Sequence, residues 1–155
     1  MSAAVATVVA PRVEPAAIAD VLHAALAEIL EVNAFELTEP CDPDVAPPDA
    51  IGASIAFRGP PSGTLYLWIE PAEARAYAAT SLGLDEVEPA VLADAIAELA
   101  NVVAGYVLSR LWSEVCIAID HAVVGAARAG VPTPVVVMGE HGRIGVAMEV
   151  TGAAP

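Results

Sequence analysis

Lysine is absent from this chain, and six arginines stand against twenty acidic residues, for a formal net charge of −14. Nucleic acids and anionic lipid surfaces are held by clustered cations, so this balance argues against both as partners. Cysteine is also scarce. Cys41 and Cys116 are isolated, and neither has the C-x-x-C neighbour of a redox or zinc motif, so both read as reduced thiols. Uncharged runs such as Leu99–Ser109 and Gly59–Ile69 fall well short of the roughly 20 residues that cross a bilayer. No basic leader precedes the apolar residues of MSAAVATVVAPR, so no secretory signal is expected and a cytoplasmic location is. A phosphate-cradling loop is missing too, because the glycine-rich segment GPPSG has no lysine.

What is present is apolar. Of 155 residues, 57% are hydrophobic, much of that Ala and Val, which suits one globular domain with its own core. Residues 1–12 read as a lead-in, with Ala4–Val9 a short edge strand, residues 13–150 as the domain, and residues 151–155 as a tail. The spacing predicts a first helix over Pro15–Glu31, with proline in its first turn and Ile18, Val21, Leu22, Ala25, Leu26, Ile29 and Leu30 on one face. From Thr38 to Asp49 the proline- and acid-rich EPCDPDVAPPD reads as a loop or irregular edge segment. Ile51–Phe57 and Thr64–Ile69, joined by the turn residues 59–63, form a hairpin. A short helix over Pro71–Leu82 stops at Gly83. After the long helix described below, Ser113–Asp120 reads as a strand and Ala122–Val131 stays ambiguous. Pro134–Met138 and Arg143–Val150 make a second hairpin around Gly139-Glu140-His141-Gly142. The expected fold is α/β in the α+β sense: a mostly antiparallel sheet with helices on one face. The recurrence of a helix and then a hairpin hints at internal duplication, without residue-level similarity behind it.

The long helix, from about Pro89 to Trp112, organises the rest. Proline suits its first turn, Glu86 and Glu88 lie at the positive end of its dipole, and Arg110 lies at the negative end. At 100° per residue, Leu92, Ala95, Ile96, Leu99, Val103 and Tyr106 fall on a core-facing side. Opposite them Asp94, Glu98, Asn101 and Gly105 form one narrow polar stripe. Glu98 and Asn101 are three apart, which makes their side chains neighbours with Cβ atoms roughly 5–6 Å apart. A solvated helix face accounts for the acids. It is also the ordinary reading of the whole stripe; Asn101 and Gly105 argue for more, because each lowers helix propensity by up to about 1 kcal/mol. Gly105 leaves a flat spot that another protein's surface could approach.

Rival sites are weak. His23 has no i+4 ligand partner on its helix. The pairs Asp120-His121 and Glu140-His141 are adjacent in sequence and do not share a face, so no metal ligand is assigned.

The segment Glu98-Leu99-Ala100-Asn101-Val102-Val103-Ala104-Gly105 resembles the E-x-x-N…G signature of CheX-like chemotaxis phosphatases, in the CheC/CheX/FliY group. The Gly-led strand Gly63-Thr64-Leu65-Tyr66-Leu67, the short helix ending near Gly83 and the acidic linker match the family's order over about Val13–Val150. The resemblance implies hydrolysis of the phospho-aspartate of a CheY-type response regulator. Asn101 would orient the attacking water, Glu98 would dock a receiver lysine, and Asp94 and Gly105 would add to docking. Mg2+ would belong to the receiver, with no cofactor bound by this chain. A homodimer is also implied. Val102 stands where the family commonly has Met, and a second E-x-x-N helix is missing, which matches CheX rather than the CheC branch. The alternative is a non-catalytic module that docks a receiver domain or a flagellar-switch or signalling partner.

Overall fold

The computed structural model describes residues 10–151, so the expected Ala4–Val9 strand and residues 152–155 of the expected tail lie outside the described residues, while Thr151 is the last residue of a strand. Three helices and nine strands follow in the order α1 (Pro15–Ala34), β1 (Glu39–Cys41), β2 (Asp44–Val45), β3 (Ile51–Arg58), β4 (Ser62–Ile69), α2 (Pro71–Leu82), α3 (Pro89–Leu111), β5 (Ala118–Ile119), β6 (Val123–Ala126), β7 (Pro132–Thr133), β8 (Val135–Met138) and β9 (Arg143–Thr151).

The main sheet has seven strands in the order β1-β8-β9-β4-β3-β5, with β6 also on the free edge of β3. Every pairing is antiparallel. The two hairpins meet along β4 and β9, where the register sets Leu65 opposite Met148 and Leu67 opposite Val146. Strand alternation then sorts the faces. Ala53, Ile55, Leu65, Leu67, Ile69, Val135, Val137, Ile144 and Val146 point into one core with the apolar faces of α1 and α3. The opposite face is covered in part by the β2–β7 ribbon, where Thr133 accepts a 2.8 Å hydrogen bond from the Trp68 indole. The expected α+β architecture is the one found.

Several boundaries differ from the sequence expectation. α1 runs on to Ala34, which is buried, and closes at Phe35, whose φ of 54° lets its N–H reach Glu31 O at 3.1 Å. Of the two readings of Thr38–Asp49, the irregular edge segment is the one found: β1 adds to the edge of β8 and β2 pairs with β7. The expected strand over Ser113–Asp120 shrinks to Ala118–Ile119, which pairs with Arg58 and Phe57, while β6 takes the same edge of β3 over Ile51–Ser54. Upstream of that pair, Val115 and Ile117 pack instead on a small cluster of Phe57, Leu108 and Trp112. The ambiguous stretch contains β6, and the first hairpin turn is tighter than expected because Gly63 already pairs with Phe57.

One end of the sheet is fastened by carboxylates. Glu70 Oε2 accepts the Arg143 N–H at 2.6 Å, Glu73 Oε2 accepts the His141 N–H at 2.8 Å, and Glu36 Oε1 accepts the Glu140 N–H. The β8–β9 turn is thus seated on the C-terminal end of α1 and the first turn of α2. Arg143 completes the fastening through ion pairs to Asp44 and Glu70 at 2.7 and 3.3 Å.

Candidate functional site

α3 places the polar stripe. Its buried residues are Ala95, Ile96, Leu99, Ala100, Val103, Ala104, Val107 and Leu108, an i, i+3, i+4, i+7 series that fixes the helix's rotation. Leu92 and Tyr106, expected in the core, flank it half-buried. The centre of the buried face is rotated toward Ala100 and Ala104, small residues that let the helix lie close on the sheet. α3 is long and apolar enough to cross a membrane by length and composition, yet its apolar face is spent on the sheet and α1.

Opposite that face, Asp94 and Glu98 are exposed and Asn101 and Gly105 half-exposed, so all four expected site residues share one outward stripe. Among the described residues, no ion pair engages Asp94 or Glu98, and no side-chain hydrogen bond engages Glu98 or Asn101. Their polar atoms remain available to a partner. The stripe's surroundings are engaged by contrast. Tyr106 donates a 2.6 Å hydrogen bond to Glu28 on α1, and the Arg110 guanidinium lies 4.4 Å over the Tyr106 ring. Below Glu98, burial raises the Tyr77 hydroxyl above the usual tyrosine pKa; the neighbouring Asn33 side chain opposes that shift, and the Glu98 charge adds to it. Glu98 therefore sits where α1, α2 and α3 converge.

Toward the end of α3 the stripe runs into a groove of about 310 Å³, lined by Gly105, Ser109, Trp112, Val115, Ile117 and Ile119. A Cβ built on Gly105 meets nothing within 4 Å, so its glycine is not a packing requirement. The flat spot expected from the sequence is open space in the fold.

Of the histidine pairs, Asp120 turns to an ion pair with Arg58 instead of joining His121. His141 lies next to Glu73 rather than Glu140, its Nδ1 3.9 Å from Glu73 Oε2. Sequence reasoning missed the buried acids Glu36 and Glu73, since each reads locally as an ordinary charge near a helix end.

The family model described as chemotaxis phosphatase CheX matches residues 51–145, from β3 through α3 and into β9. The chain belongs to the CheX family. Solved structures agree at the level of fold. The chemotaxis protein CheX from Vibrio vulnificus superposes with a TM-score of 0.71 at 15% identity, covering 90% of this chain and 100% of that one. CheX from Desulfovibrio desulfuricans gives 0.70 at 20% identity, covering 86% and 99%. CheX in the CheX–CheY–BeF3–Mg2+ complex from Borrelia burgdorferi gives 0.67 at 14% identity, covering 84% and 96%. No curated protein sequence matches the chain.

Proposed function

We propose that this CheX-family protein dephosphorylates a CheY-type response regulator, with the outward stripe of α3 entering the receiver's active site. The observation that carries the reading is the stripe itself: Glu98 and Asn101 are adjacent, outward and unbonded among the described residues, on a helix immobilised by its other face. A phosphoryl transfer needs little covalent help from a protein and depends on positioning and electrostatics. A neutral amide suits that task. Asn101 can accept a hydrogen bond from a water while its NH2 donates to the site, and it adds no charge beside the phosphoryl oxygens. A carboxylate there would repel them.

Glu98 takes the docking role. A carboxylate one turn from the amide pairs with a receiver lysine and fixes the depth and angle at which Asn101 enters. Asp94 extends the negative face toward a basic receiver rim, and Gly105 lets the receiver backbone lie close to α3. Mg2+ belongs to the receiver's phosphorylation site in this reading, where it balances phosphoryl charge. A complex of a CheX with CheY, BeF3 and Mg2+ exists for the Borrelia relative, which favours a receiver as partner here. The working unit is a homodimer, favoured by exposed Val32, Phe35 and Leu37 leading into the edge strand β1.

The deciding experiment mixes the protein with a phosphorylated, Mg2+-loaded receiver from the same genome and follows phosphate loss. Acceleration that disappears in Asn101→Ala supports the reading. An unchanged rate across those receivers defeats it, and saturable binding without acceleration selects the docking module instead.

A further inference from the structure

The turn that joins β8 to β9 covers two buried acids that no arginine pairs with among the described residues. Glu36 and Glu73 are 5% and 0% exposed, one from the C-terminal end of α1 and one from the first turn of α2. The arginines found in ion pairs are committed elsewhere: Arg143 to Asp44 and Glu70, Arg58 to Asp120, Arg110 to Glu28 and Arg128 to Glu149. Two carboxylates held together out of water with no positive partner are costly. Each accepts one hydrogen bond from the turn, Glu36 from the Glu140 N–H and Glu73 from the His141 N–H. Glu73 Oε1 is left over, fully buried and without any hydrogen-bond partner.

That oxygen does not face packed carbon. It points with Glu36 Oε1 at the place where a side chain on residue 139 would begin: a Cβ there would collide with Glu36 Oε1 and stand 2.7 Å from Glu73 Oε1. Glycine keeps the position free. The third group is His141, half-exposed, with Nδ1 3.9 Å from Glu73 Oε2. Ligand atoms of Glu36, Glu73 and His141 all lie within 4.8 Å of one another.

We propose that Glu36, Glu73 and His141 bind a divalent cation of the Zn2+ class, approached from solvent on the His141 side. Two carboxylates and an imidazole are a mixed oxygen and nitrogen set. Ca2+ prefers six to eight oxygens and Mg2+ keeps several waters around a few carboxylates, whereas imidazole suits zinc and its neighbours. Bonds of about 2.0–2.2 Å in a tetrahedron leave a fourth position for water. The exposed His141 ring supplies the small closure that those bonds require, since the two acids are fixed by the turn. A bound dication offsets both buried charges and satisfies Glu73 Oε1. It also ties three chain segments, 37 and 68 residues apart, at one point. The competing account is a single proton shared between Glu36 and Glu73; it would satisfy the same oxygen but gives His141 no role.

The test uses the full chain, stripped with a chelator and dialysed, then titrated with Zn2+ by calorimetry and by thermal unfolding. Wild type should bind one equivalent and melt at higher temperature with Zn2+ than without. Glu73→Gln, which keeps the shape, and His141→Ala, which changes only a half-exposed side chain, should each bind at least about tenfold more weakly. His121→Ala should bind like wild type. The proposal is overturned if wild type takes up no Zn2+ at tens of micromolar, leaving the shared proton as the account. It is equally overturned if binding persists undiminished in both Glu73→Gln and His141→Ala, because the ion then sits elsewhere.

Discussion

The outer stripe of α3 and the turn over Glu36 and Glu73 handle polar groups in opposite ways. On α3, Glu98 and Asn101 are open to solvent and bonded to nothing within the described residues, although the helix beneath them is fixed by eight buried side chains. At the turn, the acids are buried and gripped by backbone N–H groups, although the turn itself is a surface feature. Removing a free exposed group costs the fold little, because water already satisfies it. Disturbing a buried bonded acid costs the fold directly, because what remains is unsatisfied. Function should therefore separate from stability between these two regions.

The largest effect should come from Asn101→Ala. Loss of one positioned polar group in a transition state typically costs about 100-fold or more in rate, and acceleration of receiver dephosphorylation should fall by that factor. The melting temperature should stay within a degree or two of wild type, and a large drop would place Asn101 in the fold rather than the chemistry. Gly139→Ala should do the reverse. Its Cβ would press on both buried carboxylates, and overpacking of this kind costs typically about 1–3 kcal/mol. Urea unfolding should show the loss, while dephosphorylation per folded molecule stays near wild type.

Glu98→Lys should have a smaller effect than Asn101→Ala. Reversing the docking charge should weaken binding to a beryllofluoride-loaded receiver by about tenfold, mostly in association rate and most strongly at low salt. Equal affinity for wild type and variant would remove Glu98 from the interface.

The stripe could be read from the sequence because everything that builds it is local. Pro89 in the first turn, the apolar spacing and the polar residues at 94, 98, 101 and 105 lie within one helix. Only the rotation was off, with Leu92 and Tyr106 expected in the core and Ala100 and Ala104 found there. Small residues carry weak apolar signal, although here they set how closely the helix lies on the sheet. The hairpins were legible for the same reason, through alternation and turn glycines. β1 and β2 were read only as a loop or irregular edge segment, and β5 as an overlong strand over Ser113–Asp120, because two- and three-residue strands are defined by the edge they meet rather than by their own composition. The turn fastening was illegible for a stronger reason. Glu36, Glu70 and Glu73 meet residues 140–143 only through the fold, and no spacing rule links them.

The buried acids also give the fold a pH dependence. Burial first, then the adjoining Glu36 carboxyl, pushes the Glu73 carboxyl up to about 8 from 4.5, and the His141 N–H only partly opposes this. The folded chain therefore keeps a proton that the unfolded chain releases above about 4.5. Stability from this group is fully present below that value, declines as pH rises, and levels off above about 8. The slope cannot exceed about 1.4 kcal/mol per pH unit for one proton. Urea denaturation in chelator at pH 5, 6, 7 and 8 should show the decline in wild type, and Glu73→Gln should flatten it. A parallel decline in the variant would assign the effect to other groups.

The smallest change tests the comparison most finely. Gly105→Ala adds one methyl into space where nothing lies within 4 Å, in a helix interior that disfavours glycine. It should stabilise the fold by about 0.5–1 kcal/mol, through helix propensity and a less flexible unfolded chain. Thermal unfolding should show the gain. If the receiver's backbone lies against α3 at this point, the same methyl should slow dephosphorylation, and a larger side chain should slow it further. A stabilised variant with undiminished activity would move the contact away from Gly105 and confine docking to Asp94, Glu98 and Asn101. A stabilised variant with lost activity would mean that glycine is kept there for the partner, at the fold's expense.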